Sequence, residues 1–242
     1  MSNVRSTPVA RQATHNVPVQ DVCVELHLFG QYPPNRRLPG AHSLLVQWGC
    51  HGPRHNNRRS TPFTSGTVAE GAALDDIVSA MVAQTGHIFD PTKVANKLSK
   101  RRKQQMLVVA AEVVAALTKS GLTPVDTQVP FPAPRVGVCP VSDIVCVDAQ
   151  GGPHLVELKL GAVGMVKRGG WRSVYMHQLA IQAYCAEQAG LGNMAASRCH
   201  LLCVATTKGV DVPTVVMATL TPQVLLKVRT RLSKLHPRDN KD

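Results

Sequence analysis

Aromatic residues are nearly missing from this chain: four Phe, three Tyr and two Trp make up 4% of its 242 residues. Val, Ala and Leu must fill whatever core forms. At 44% hydrophobic residues the supply suffices, which excludes wholesale disorder. Also missing is any apolar run near the roughly 18–20 residues that a membrane-spanning helix needs. The longest candidate, Met106–Leu117, is broken by Glu112. Met1–Gln20 holds no apolar segment of a secretory signal. With no acid before Asp21, it reads as a basic tail, and an organellar presequence is the lesser alternative. The seven cysteines (Cys23, Cys50, Cys139, Cys146, Cys185, Cys199 and Cys203) are odd in number and form no Cys-x-x-Cys pair. Buried thiols in a reducing, intracellular compartment fit this better than a disulfide framework. Neither Cys199-His200-Leu201-Leu202-Cys203 nor Cys50-His51 with His55 has the second cluster that a structural zinc site requires.

Acids are the scarce charge. The 27 Lys+Arg against 15 Asp+Glu give a formal net charge of +12 and a pI near 9.7. That excess attracts polyanions, so the expected partner is nucleic acid rather than a membrane surface. Residues 1–62 form a Pro/Arg-rich extension with seven arginines, no lysine and only Asp21 and Glu25 as acids. This extension is either a flexible connector or a phosphate-contacting arm, with strands expected at Val22–Phe29 and Ser43–Trp48. A second basic concentration runs from Lys97 through Lys100, Arg101, Arg102 and Lys103. It would track a phosphate backbone; it also has the form of a nuclear import signal, or is a solvated helix face.

Periodicity and punctuation predict helices over Val68–Gln84, from Asp90-Pro91, and over Met106–Thr118 closed by Gly121. Strands follow at Val125–Phe131, Val138–Val147 and His154–Leu160, then a helix at Arg172–Ala189. Strands at Cys199–Thr206 and Thr214–Ala218 precede a last helix from Thr221-Pro222 to about Lys234. This order predicts an α/β fold with a central mixed sheet flanked by helices.

The stretch Asp143-Ile-Val-Cys-Val-Asp148, a turn through Gly151-Gly152-Pro153, and His154-Leu-Val-Glu157-Leu158-Lys159 carries the chemistry. Side chains alternate along a strand, so Glu157 and Lys159 point one way while Val156 and Leu158 point into a core. Asp143 can join them across the ladder. Two carboxylates and an ammonium on one sheet face are costly unless a divalent cation or a phosphate ester lies among them. On the following helix Tyr175, Gln178 and Gln182 fall on one stripe, which faces either this site or solvent. Asp148 points to the opposite face and reads as a turn residue. His154 and His177 read as surface histidines that could instead assist proton transfer.

Taken together these segments resemble the PD-(D/E)XK nuclease superfamily, in its RecB-like and lambda-exonuclease-like branch. Ser65-Gly-Thr-Val-Ala-Glu70 resembles the family's first motif. Gly137-Val-Cys-Pro-Val-Ser-Asp143 resembles its "G…D" strand, and Val156-Glu157-Leu158-Lys159 its "EhK" strand. Tyr175-Met-His-Gln178-Leu-Ala-Ile-Gln182-Ala-Tyr184 resembles its glutamine–tyrosine helix. The likeness spans residues 63–207, with 14 positions from Asp143 to Glu157. It departs from the family in that Pro140 lies three residues before Asp143, and Tyr184 lies six after Gln178 rather than four.

The resemblance implies a restriction-endonuclease-like core over residues 63–236, with 237–242 a polar tail. It implies a metal-dependent nuclease acting on DNA in repair, recombination or replication, with exonuclease favoured over endonuclease. Asp143, Glu157 and the Leu158 carbonyl, with Glu70 from the first helix, would ligate Mg²⁺ or Mn²⁺. Glu70 alternatively serves only the helix dipole. Lys159 would orient or deprotonate the attacking water, or neutralise charge on the phosphorane. Gln178 would complete the catalytic set. Lys100, Arg101, Arg102, Lys103, Lys167, Arg168, Arg172, Tyr175 and Gln182 would contact nucleic acid, and Trp171 would stack on a base or sit in the core. The rival reading is a noncatalytic binding or packaging protein that keeps the fold. Nothing in the residues indicates an oligomer.

Overall fold

A computed structural model describes residues 65–82, 99–161, 172–205 and 213–235, together with Val19, Asp21, Val22, Cys23, Gly40, Ala41, Leu45 and Trp48. Helix α1 (Ser65–Val82) and helix α2 (Lys100–Lys119) precede a meander of β1 (Thr123–Pro130), β2 (Val141–Val147) and β3 (Pro153–Leu160). Helix α3 (Arg172–Gln188), β4 (Cys199–Ala205), β5 (Thr214–Thr219) and α4 (Pro222–Leu232) complete the order. The sheet runs β1-β2-β3-β4-β5, antiparallel throughout except for the parallel β3–β4 pair, which α3 connects. It is the α/β fold with a mixed central sheet and flanking helices that the sequence predicts.

Two cores explain why β3 and β4 are apolar almost without interruption. On one face Val145, Leu155, Leu201 and Cys203 pack under α3 and α4, against Leu179, Ala183, Leu225 and Val228. On the other, Ile144, Cys146, Val156, Leu158, Leu202 and Val204 pack under α1 and α2, against Leu74, Ile77, Met106, Val113 and Leu117. Strands covered on both sides cannot alternate apolar with polar, so the few polar residues that they carry have a specific reason to be there. Edge strand β1 is blunted by Pro124, by Pro130 and by a register shift between Pro124 and Asp126.

Several expectations move. Strand β2 begins at Val141 rather than Val138, because Gly137 adopts φ +75° and Pro140 has no N–H to give the ladder; Val138 makes only an isolated bridge to Ala133. Of the strands expected near the N-terminus, the described residues Val22, Cys23 and Leu45 are helical and Trp48 is in a turn. Cys23, Ala41 and Leu45, placed by the sequence in the extension, are buried in the first core, and Trp48 lies under the Arg231 guanidinium at 4.3 Å. The helix start expected at Asp90-Pro91 lies outside the described residues.

Candidate active site

Alternation along β2 and β3 puts Asp143, Glu157 and Lys159 on the α3 side of the sheet, the faces of Val145 and Leu155. Where the β2–β3 ladder ends at Ile144↔Val156, Asp143 Oδ2 accepts the Leu158 N–H at 2.7 Å. Because a residue's N–H and C=O leave an extended strand on the same side, the Leu158 carbonyl faces that edge too. Lys159 Nζ donates to Glu157 Oε1 and lies 4.0 Å from Asp143 Oδ2. The three side chains that the sequence grouped therefore meet.

Helix α3 closes the site from above. Gln178 Nε2 donates to Glu157 Oε1 at 2.6 Å, and Gln182 Nε2 donates to Glu157 Oε2 at 2.6 Å and to the Val141 carbonyl at 2.7 Å. The Tyr175 ring centre lies 5.1 Å from Lys159 Nζ, a cation–π contact. The polar stripe of α3 thus faces the acids and not solvent. Glu157 is 0% exposed, against 17% for Asp143 and 23% for Lys159, and the Lys159, Gln178 and Gln182 donors satisfy its oxygens in place of water.

Burial, and then Glu157 beside it, pushes the Asp143 carboxyl well above its ordinary range, although Lys159 and the Leu158 N–H pull it back. Burial alone would lower Lys159, but Glu157 and Asp143 outweigh it and hold the ammonium above its usual range. That shift favours the ammonium form of Lys159 beside the two acids. Sequence reasoning missed Asp75 on α1. Burial raises its carboxyl from 3.8 to about 6, with Lys159 opposing and Glu157 and Asp76 reinforcing the shift. The signal was there: an acid between the buried pairs Ala73-Leu74 and Ile77-Val78.

Asp75 binds its proton more tightly in the folded than in the unfolded chain. Its contribution to stability is present below pH 4 and is lost as pH rises through about 6. Denaturant unfolding in EDTA should show wild type losing about 2–3 kcal/mol relative to Asp75→Asn between pH 4 and pH 7. An unchanged difference would remove Asp75 from the cluster.

Other predicted site residues lie elsewhere. Glu70 does not turn to Asp143: both its oxygens are taken by Arg102, Oε1 by Nε and Oε2 by Nη2, each at 2.6 Å. A guanidinium fork is a better partner for a carboxylate than a distant site. Arg102, expected on nucleic acid, is thereby committed within the protein and also donates to Gln105. Lys100 and Arg101 are exposed and Lys103 half-buried on the first turn of α2, capped by Ser99. Gln182, expected on nucleic acid, is buried at 0% and serves Glu157 instead, and Tyr175 is turned in over Lys159. Lys97, Lys167, Arg168 and Trp171 lie outside the described residues, and for Arg172 only the backbone is described.

A hard divalent cation fits this donor set by charge. Three carboxyls (Asp75, Asp143 and Glu157) lie near one ammonium, and burial with their mutual repulsion holds Asp75 and Asp143 up in pKa, a shift that a bound cation would oppose. Gln182 Oε1, a further oxygen beside Glu157, is buried with no hydrogen-bond partner among the described residues. Among the described residues, however, no three His, Cys, Asp or Glu side chains are gathered as a ready cage, and both Glu157 oxygens are engaged by protein donors. Ligation would require Glu157 to give up one of them.

No family model and no curated protein matches the chain. Among solved structures, it is similar to a "putative exonuclease" from Eubacterium rectale at 16% identity and a TM-score of 0.39, over 74% of this chain and 68% of that one.

Proposed function

We propose that the protein is a metal-dependent nuclease of PD-(D/E)XK type that hydrolyses phosphodiester bonds in DNA, acting as an exonuclease. The observation that carries this reading is the meeting of Asp143, Glu157 and Lys159 on one sheet face under Gln178 and Gln182. Asp143, Glu157 and the Leu158 carbonyl are the oxygens that would hold Mg²⁺ or Mn²⁺, with Asp75 adding negative charge. Such an ion, when bound, polarises the phosphodiester and acidifies a water.

The chain's own residues do the rest. Lys159 stays protonated, donates to the attacking water or to a phosphoryl oxygen, and offsets the charge that develops there. Tyr175 presents its ring face to that ammonium and helps to hold it in place. Gln178 and Gln182 fix the Glu157 carboxylate, and the Leu158 N–H fixes Asp143. Cations remaining at Lys100, Arg101 and Lys103 supply salt-sensitive attraction to the backbone.

End-labelled single- and double-stranded DNA, linear and circular, incubated with protein and Mg²⁺, Mn²⁺ or EDTA, tests the proposal. Cleavage of linear DNA that stops in EDTA, with circular DNA spared, is expected. Salt-sensitive binding with no metal-dependent turnover would leave only the binding or packaging role.

A further inference from the structure

On the opposite face of the sheet, four polar side chains form an unbroken row from the β2–β3 turn across β3 and β4 to β5. His154 Nε2 lies 3.2 Å from Asp148 Oδ2, His154 Nδ1 lies 2.9 Å from His200 Nε2, and His200 Nδ1 lies 3.4 Å from Thr219 Oγ1. His154 is in phase with Val156 and Leu158, and His200 with Leu202 and Val204, all in the second core. His200 is buried. The rings are within 8° of parallel, with centroids 5.2 Å apart. A 2.9 Å contact leaves so long a centroid separation only when both nitrogens lie on the line between ring centres. The imidazoles therefore meet edge to edge and share a proton. A tetrahedral ion such as Zn²⁺, which needs lone pairs converging at an angle, does not fit between them.

One proton arrangement satisfies every member of the neutral row. A carboxylate only accepts, so His154 carries its hydrogen on Nε2. His154 Nδ1 is then an acceptor, His200 donates from Nε2, and Thr219 donates its hydroxyl hydrogen to His200 Nδ1. From β2, Cys146 lies opposite His154, its thiol pushed up to about 12 by burial and hence neutral. Of α2, Val113 and Leu117 are buried in the same core as Val156 and Leu202, the strand neighbours of the two histidines. Arg198, from the short 3-10 turn Ala196–Arg198, lies beside Asp148 over Gly152; a Cβ at Gly152 would meet Asp148 Oδ2 at 2.7 Å and Arg198 Nη2 at 2.9 Å. Asp148 Oδ1 also accepts the N–H groups of Gly152 at 2.7 Å and Gln150 at 2.9 Å. The Gly152 bond, then the bonds to His154 and Gln150, holds this carboxyl below its ordinary range.

We propose that this row is an acid-sensitive fastener tying the β2–β3 turn to edge strand β5, which admits one proton by reversing direction and opens on the second. The first proton enters at the exposed end of the row, at His200 Nδ1 past the Thr219 hydroxyl, while His200 passes its Nε2 hydrogen across the 2.9 Å contact to His154 Nδ1 and leaves His154 as the imidazolium. The resulting imidazolium donates to Asp148 and to His200 Nε2. His200, left with its hydrogen on Nδ1, donates from there to Thr219 Oγ1, whose own hydroxyl hydrogen turns away. The net change is one proton bound, with no link of the row lost. A second proton sets two N–H groups against each other across 2.9 Å, and the contact breaks.

Burial and then His154 depress His200 from 6.5 to about 4. The unfolded chain therefore binds more protons than the folded one across that window. The stability tied to His200 is complete above pH 6.5 and is lost as pH falls through about 4.

The test uses the full-length protein with ¹⁵N-labelled histidine, followed by long-range ¹H–¹⁵N spectra from pH 7.5 to 4, with His154→Gln and His200→Gln identifying the signals. Both imidazoles are expected as Nε2–H tautomers at pH 7.5, with His200 changing to Nδ1–H as His154 charges. In urea unfolding, the folding constant of wild type divided by that of His200→Gln should fall roughly 10²-fold between pH 7 and pH 4. A His200 that keeps Nε2–H while His154 charges, or that titrates as an ordinary histidine, overturns the proposal. If neither variant folds, the tautomer series on the wild type decides it, with the two rings told apart by their cross-ring contacts.

Discussion

Asp143→Asn should lose at least about 10³-fold of metal-dependent DNA cleavage while unfolding no more easily than wild type in EDTA. The two effects separate because of what the carboxylate does in each state. In the metal-free protein its Oδ2 accepts the Leu158 N–H, a role that the amide oxygen of Asn keeps. Its charge is a liability there, since burial and Glu157 already hold the group well above its usual range. Removing that charge costs the fold little. It removes, however, one of the two carboxylates on which the proposed chemistry depends. End-labelled DNA assays with Mg²⁺ or Mn²⁺, paired with thermal unfolding in EDTA, check both halves. Wild-type cleavage by Asp143→Asn would end the nuclease reading. Easier unfolding in EDTA would instead show that the carboxylate is structural.

Lys159→Met is expected to damage both properties. Glu157 is wholly buried, and the ammonium is its charged partner among the three donors. Taking one member from such a pair leaves an uncompensated buried carboxylate, a loss of about 3–5 kcal/mol, which lowers Tm by roughly 10 °C in a domain of this size. Adding Glu157→Gln should restore most of that stability, because the amide still bonds to its surroundings without a charge to compensate. Mn²⁺ should raise the Tm of Lys159→Met more than that of wild type, since a divalent ion replaces the missing positive charge. Cleavage should stay absent in the single and double variants alike. Calorimetry across the four proteins of the cycle, with and without Mn²⁺, reads the coupling directly; additive losses from the two substitutions would mean that Glu157 and Lys159 do not act as a pair.

Much of this architecture was legible along the chain. The boundaries of β3, α3, β4, β5 and α4 fall within a residue or two of those read from apolar periodicity, Pro222 and the terminating Gly190. That Tyr175, Gln178 and Gln182 share one helix face, and that Glu157 and Lys159 share one strand face, follows from backbone repeat alone. Among the displaced starts are that of β2, by three residues, where Pro140 withholds a ladder donor, and that of α2, which begins at Lys100 behind the Ser99 cap rather than at Met106.

Contacts between layers were not legible in this way. Glu70 stands in a helix where a motif would use it, yet Arg102, 32 positions later, takes both its oxygens, while Asp75 senses Glu157 and Lys159. His154 and His200, 46 positions apart, read as unrelated histidines until parallel pairing of β3 with β4 set their rings nitrogen to nitrogen. Local repeat is dictated by backbone geometry over a few residues, so the linear order of amino acids suffices to specify elements and faces. Which ionisable groups meet depends on how those faces stack. Burial and the proximity of other charges then decide whether a carboxyl, an ammonium or an imidazole holds its proton, and neither exists before the chain has folded.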